Sequence, residues 1–386
     1  MLHLITIIGA RPQIIKAAAL SRAISTSYSS SIRETLVHTG QHYDENMSEV
    51  FFSELGIPQP DYRLNVGSGS HGKQTAAMIS GIEEVLLKEK PDALVVYGDT
   101  NSTLAGAVAA SKLHIPVVHI EAGLRSFNKK MPEEVNRILC DHVSAFLFTP
   151  TSTGFKNLET EGLTRYMTEI ESGLLKVSTD TPAVYHCGDV MYDNSLFFAS
   201  LAETKSQLLS ELQLERGKFM LATVHRDSNT DDPKRLEALF AAFFTLIEQT
   251  GMQVVLPLHP RTRKNIAANS ALEAKIASES RLMLLPPVSF LEMILLEKNC
   301  CLVLTDSGGV QKEAYFFEKP CVILRPETEW VELTQVGAAI LADADTQKIV
   351  AAATGFLKNT CSFPPVFGDG KASEFICARL LDYLRH

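Results

Sequence analysis

The chain has 386 residues, 36 Lys and Arg against 45 Asp and Glu, a net charge of −9 and 45% apolar residues. At about 150 residues per domain the length predicts two domains. The apolar share excludes wholesale disorder, and the acidic balance excludes the basic face that a nucleic-acid backbone requires.

No apolar stretch reaches the roughly 18–20 residues needed to span a bilayer. The opening MLHLITIIGARPQIIK lacks a basic leader and a cleavage site, so it reads as a first strand and not as a signal peptide. Seven Cys, odd in number and without CxxC spacing, predict buried thiols in a reducing cytosol rather than disulfides or a metal site.

Short apolar runs alternate with helical patterns. LHLITIIG predicts a strand and PQIIKAAALSRAI a helix; ETLVHTG predicts a strand ahead of a helix over 46–55. ALVVYGDT, PVVHIEAG and AFLFTPT read as strands, with helices at STLAGAVAASKL and over 133–143 between them. Strands that are apolar throughout, separated by amphipathic helices, form a parallel sheet covered on both faces. Residues 160–182 are polar, without a clear strand, and read as surface structure. After 186–194 the rhythm restarts with FMLATVH, a helix at PKRLEALFAAFFTLIEQ, then VVLPLHP, LMLLPP and CLVLTDSGG, a helix at VQKEAYFFE, and PCVILRP. The fold class is α/β: two Rossmann-like doubly wound domains facing a central cleft, over 1–188 and 189–368. An amphipathic helix closes the chain over 369–386. No low-complexity segment or 20–50-residue repeat is visible.

In doubly wound sheets, ligands bind outside the carboxyl ends of the strands, so the polar residues after each apolar run carry the chemistry. Asp306-Ser307-Gly308-Gly309 is a strand–turn–helix whose glycines admit close backbone approach and whose helix N-terminus favours an anion. A phosphate fits there, and Glu313, on the first turns of that helix, suits ribose hydroxyls; an ordinary capped turn is the alternative. Arg11 and Lys16 flank the first turn of the chain and suit a diphosphate. Asp99, Glu121 and Glu133 are three carboxylates at or near strand ends, a pattern that serves general acid–base chemistry. His225 ends the first strand of the second domain and is placed to join them across the cleft. The residues leave alternatives: Asp99 as a helix cap, Glu133 as an N-terminal helix charge, and Glu134 in its place. His38 and His259 fit structural hydrogen bonding. Walker, HExxH and GxSxG patterns are absent, which lowers ATP as a ligand and predicts no zinc site and no serine-hydrolase elbow.

Seven segments, GARPQIIK, GDTNSTLAG, HIEAGLRS, MPEEVNR, ATVHRDSN, LPLHPRTR and LTDSGGVQKEA, run in order over nearly the whole chain. Together they resemble the UDP-N-acetylglucosamine 2-epimerase family. The resemblance implies a GT-B-like pair of domains, with the C-terminal one holding UDP and the last helix packing back on the first. It implies a cytoplasmic homodimer acting on a UDP-sugar, without metal or cofactor and without nucleic-acid or membrane partners. The implied reaction inverts C2 of a UDP-2-acetamido sugar: a base removes the C2 proton, UDP leaves C1, and UDP adds back to the glucal with the proton delivered to the opposite face. By motif, Asp99, Glu121 and Glu133 match the acid–base carboxylates and His225 the catalytic histidine. Arg11, Lys16, Ser307, Gly308 and Gly309 match diphosphate ligands, Glu313 the ribose ligand, and Arg137 and His259 further substrate-binding positions.

The chain departs from the bacterial UDP-GlcNAc enzymes at His225-Arg226-Asp227-Ser228-Asn229, where they read His-Arg-Arg-Glu-Asn, and after Gln41-His42. VHTGQHYDENMSEVFF, LRSFNKKMPEE and ETEWVEL look more like the branch acting on UDP-2,3-diacetamido-2,3-dideoxy-glucuronate, which serves surface polysaccharide synthesis. Lys129, Lys130 and Arg261 are the cations available for a sugar carboxylate. Competing readings are a hydrolysing epimerase that releases UDP and the free sugar, a GT-B glycosyltransferase, and a silent UDP-sugar-binding protein. The three carboxylates with His225 argue against the last two.

Overall fold

The computed structural model describes residues 1–41 and 57–384, with the chain forming two compact units, Met1–Asn194 together with Pro365–His386, and Ser195–Pro364. The helix expected over 46–55 lies outside the described residues.

The first unit is built on a seven-stranded, wholly parallel sheet. Its strands are β1 (Leu2–Ile8), β2 (Ile32–His38), β3 (Tyr62–Arg63), β4 (Ala93–Tyr97), β5 (Val117–Ile120), β6 (Phe146–Thr149) and β7 (Ala183–His186). They lie in the order β3-β2-β1-β4-β5-β6-β7. Register is set by pairs such as Leu4 with Ala93, Leu94 with Val117 and Phe146 with Ala183. All five residues of β4 are buried, because helices cover both faces of the sheet and leave no solvent side for an alternating pattern. The order reverses direction between β1 and β4, so this unit's topological switch point lies at their carboxyl ends.

The helix His71–Glu89 was not read from the sequence. Its buried face is the stripe Gln74, Met78, Ile82, Val85 and Leu86, spaced three to four residues apart. Only Gln74 and Met78 represent that face in the first half, too thin a signal to stand out. Residues 160–182 contain one short helix, Met167–Glu171. The last helix, Ala372–Leu384, packs on Arg11–Ala23 within this unit. Its N-terminus is capped by the Asp193 carboxylate, which accepts from the amides of Ala372 (3.1 Å) and Ser373 (2.8 Å).

The second unit carries a six-stranded parallel sheet, β8 (Phe219–Thr223), β9 (Gln253–Pro257), β10 (Leu282–Leu285), β11 (Leu302–Thr305), β12 (Cys321–Ile323) and β13 (Ala339–Leu341). The order β10-β9-β8-β11-β12-β13 puts its switch point between β8 and β11. Helix Pro233–Thr250 shows why such elements form. Asp232 caps it by accepting from the amides of Lys234 and Arg235, Pro233 occupies its first position, and Gly251 ends it at φ +70°. Leu236, Leu239, Phe240, Phe243, Leu246 and Ile247 are its core face, each side chain contributing about 1.5–3 kcal/mol on burial. All seven Cys are free thiols. No described helix is long and apolar enough to cross a membrane, and no group of three or more His, Cys, Asp or Glu among the described residues is placed to hold a metal.

Candidate active site

At the switch point of the first unit, Gln13 ties the opening turn to the end of β4. Its carbonyl oxygen accepts from the amides of Gly9 (3.0 Å) and Ala10 (3.2 Å), and its amide donates to the Tyr97 carbonyl (3.1 Å) and the Thr103 hydroxyl (2.9 Å). This brings Lys16, on the second turn of Arg11–Ala23, over Gly98. Lys16 makes a close ion pair with Glu121, which follows β5. A Cβ on Gly98 would stand 3.2 Å from Lys16 Nζ and 3.5 Å from Glu121 Oε2, so the absent side chain makes room for the pair. Burial acts to lower the Lys16 pKa, but Glu121 and then Asp99 outweigh it and hold the ammonium charged. Glu121 itself adopts φ +69°, a left-handed conformation that an L-residue holds only under constraint from its surroundings.

Asp99 is paired with Arg137, whose other nitrogen contacts Glu134 at 2.9 Å. Glu134 is buried and accepts from the amides of Ser126 and Phe127, both at 2.9 Å. Burial works to raise its pKa, but the two amides, the Ser126 hydroxyl and Arg137 keep it below the ordinary carboxylate range. Glu134 therefore builds the loop, and its neighbour Glu133 is the exposed one. Asp99 and Glu121 are brought together through Lys16, each against a cation, rather than as carboxylates set against one another. No described hydrogen bond or ion pair ties Glu133 to them. Arg11 is exposed at the start of its helix.

His38 is structural: its Nδ1 accepts from the Gly40 amide (3.1 Å), and burial followed by Arg63 lowers its pKa to about 4.

In the second unit the switch point holds His225, just after β8, and Asp306, just after β11. Asp306 is buried. It accepts from the amides of His225 (3.1 Å) and Arg226 (3.0 Å) and from Asn229 Nδ2 (3.1 Å), and lies 3.0 Å from His225 Nδ1. Burial opposes its ionisation, but His225 and these donors lower its pKa. A carboxylate on Nδ1 sets the tautomer and leaves Nε2 on the open side of a half-exposed ring. Nothing in the sequence pattern marked Asp306 as the partner of His225; strand adjacency alone reveals it.

Ser307 caps the helix Gly308–Phe316 by accepting from the Val310 amide. Gly308 lies against a bidentate Arg325–Glu329 pair (2.9 and 3.1 Å), and the Trp330 indole donates to its carbonyl at 3.0 Å. Arg325, Glu329 and Trp330, from the RPETEW stretch, are thus further residues of this turn that sequence reasoning missed. Glu313 is half-buried on the second turn of the same helix. His259 caps the helix Pro260–Ala267 by accepting from the Arg261 amide (3.3 Å). Arg261 is held by Asp227 and Asp231, so this cation, considered for a sugar carboxylate, is already engaged.

Two parallel-sheet α/β units, each with candidate residues at its switch point, place the protein in the GT-B-like class. The family model for UDP-N-acetylglucosamine 2-epimerase matches residues 25–381. The UDP-2,3-diacetamido-2,3-dideoxy-D-glucuronate 2-epimerase of Pseudomonas aeruginosa is 49% identical over 384 residues, 99% of each chain. A UDP-N-acetylglucosamine 2-epimerase homolog of Methanococcus maripaludis is 47% identical over 386 residues, 100% of each chain. The crystal structure of Methanocaldococcus jannaschii UDP-GlcNAc 2-epimerase in complex with UDP-GlcNAc and UDP is similar at TM-score 0.76 and 40% identity, covering 99% of this chain and 100% of that one. The chain belongs to the UDP-N-acetylglucosamine 2-epimerase family, whose members are isomerases.

Proposed function

We propose that the protein is a non-hydrolysing 2-epimerase of a UDP-2-acetamido sugar, with UDP-2,3-diacetamido-2,3-dideoxy-glucuronate as the preferred substrate. The observation that carries the reading is the pairing of Asp99 and Glu121 with Arg137 and Lys16 at one switch point. Charged partners hold and orient both carboxylates at that switch point. One carboxylate takes the C2 proton while the C1–O bond breaks, C1=C2 forms and UDP departs. UDP then adds back to C1, and C2 receives a proton on the opposite face.

A C2 proton is weakly acidic, so most of the barrier is removed by stabilising the leaving diphosphate. Ser307, Gly308 and Gly309 offer a helix N-terminus for that charge, and Arg11 adds a cation. Glu313 receives the ribose hydroxyls. His225, held by Asp306, presents Nε2 as a further proton carrier. Arg137 and His259 complete the substrate contacts, and Glu133 joins the acid–base set from its exposed place. Lys129 and Lys130 are the cations left for the uronate carboxylate. Support for that substrate comes from the Pseudomonas aeruginosa relative.

The proposed assembly is a homodimer working in the cytoplasm to supply surface polysaccharide synthesis. Its support in the fold is an apolar stripe along helix Pro132–His142 and its N-cap, where Met131, Val135 and Leu139 recur every four residues and stand at least 39% exposed.

The test is NMR of the protein with UDP-GlcNAc, and separately with the diacetamido uronate, in D2O. Deuterium at C2 of an intact UDP-sugar is expected, faster with the uronate. Accumulation of UDP and free sugar would replace this reading with a hydrolysing one. Absence of exchange with either substrate would end the epimerase assignment.

A further inference from the structure

His119 and Asp141 are wholly buried, and no step of the proposed reaction uses them. His119 Nδ1 lies 2.7 Å from Asp141 Oδ1 and its Nε2 lies 2.8 Å from the Gly98 carbonyl. Both ring nitrogens therefore face acceptors and act as donors. Asp141 also accepts from the Gly123 amide (3.2 Å) and from Arg125 Nη1 (2.7 Å). Arg125 reaches on to Glu161 at 2.7 and 2.8 Å, and His142 approaches Glu161 at 3.2 Å.

The position of this network is the informative part. Gly98 immediately precedes Asp99, and Gly123 follows Glu121 by two residues. Glu121 holds φ +69° and Gly123 φ +77°, and a side chain on Gly123 would run into the Gly154 carbonyl. A strained turn of this kind persists only where its surroundings over-determine it. Here the constraint is one carboxylate that grips the Glu121 turn directly and the Asp99 turn through an imidazole.

We propose that the buried Asp141–His119 pair is a positioning element that sets the separation of Asp99 and Glu121. This rests on the acid–base reading of those two carboxylates. A displacement of about 1 Å at a reacting group costs roughly 100-fold in rate. The expected signature is a loss of kcat without a loss of binding, because both side chains are wholly buried.

The test uses the full chain, with kcat and KM for epimerisation and the UDP Kd measured side by side. H119F keeps the ring volume and removes both donors. It should lower kcat about 100-fold while KM and UDP Kd stay within about threefold. H119Q keeps a donor within reach of the Gly98 carbonyl and should recover about tenfold of that loss. H119N places its amide toward Asp141 but short of Gly98, and it stands in for H119F if the latter does not fold. A folded H119F or H119N with kcat within about threefold of wild type overturns the proposal. So does H119Q no better than H119F. D99N and E121Q are assayed alongside. If they keep wild-type C2 exchange, the acid–base reading itself fails; if they lose it while H119F does not, only the positioning proposal fails.

Discussion

The left-handed conformation of Glu121 makes a prediction that separates strain from function. At φ +69° a side chain with a Cβ costs about 1–2 kcal/mol, a cost that Gly avoids. Gly in turn loses more freedom on folding, about 0.5–1 kcal/mol. E121A and E121G both remove the carboxylate and both leave Lys16 without that partner. Their difference therefore isolates the backbone term: E121G should be the more stable by about 0.5–1 kcal/mol. At a denaturation slope of about 3 kcal/mol/M, this raises the urea midpoint by about 0.2–0.3 M. Both variants should lose C2 exchange, because the proton carrier is gone. The assay is a pair of urea titrations followed by circular dichroism, run beside the D2O exchange experiment. E121A equal to or more stable than E121G would refute the claim that this residue is held against its own backbone preference. Retention of exchange in either variant would refute its role as an acid–base group.

D306N removes the group that fixes His225 and should lower kcat on the order of 10²–10⁴-fold. Because Asp306 has a depressed pKa, its contribution to stability is present above the unfolded value of about 4 and is lost as pH falls below it; urea midpoints between about pH 5 and 2 should therefore decline less steeply in D306N than in wild type. F243A opens a cavity in the buried core face of Pro233–Thr250 and should cost about 3–5 kcal/mol by urea titration, with no change in substrate selectivity among molecules that remain folded. The double variant V135E/L139E places charge on the exposed apolar stripe and should convert a dimer to monomer by light scattering; a dimer of wild-type affinity would move the interface elsewhere.

The class of this fold is legible in the amino-acid pattern. β4 reads as apolar throughout and β8 as apolar up to Thr223, because both faces of each sheet are covered, and that pattern is local and survives without coordinates. The Asp306-Ser307-Gly308-Gly309 turn and the seven ordered segments were equally legible, since each encodes a short-range geometry. Residues whose meaning depends on a distant partner were not. Lys16 and Glu121 stand 105 residues apart, and His225 and Asp306 stand 81 apart; they meet only because the sheet order runs β1-β4-β5 in one unit and places β11 next to β8 in the other. Glu133 and Glu134 are adjacent and chemically alike, yet the helix turns one outward and buries the other against two amides and Arg137. A helix rotates each successive side chain by about 100°, and only the packed neighbours decide which of the two direction vectors points inward.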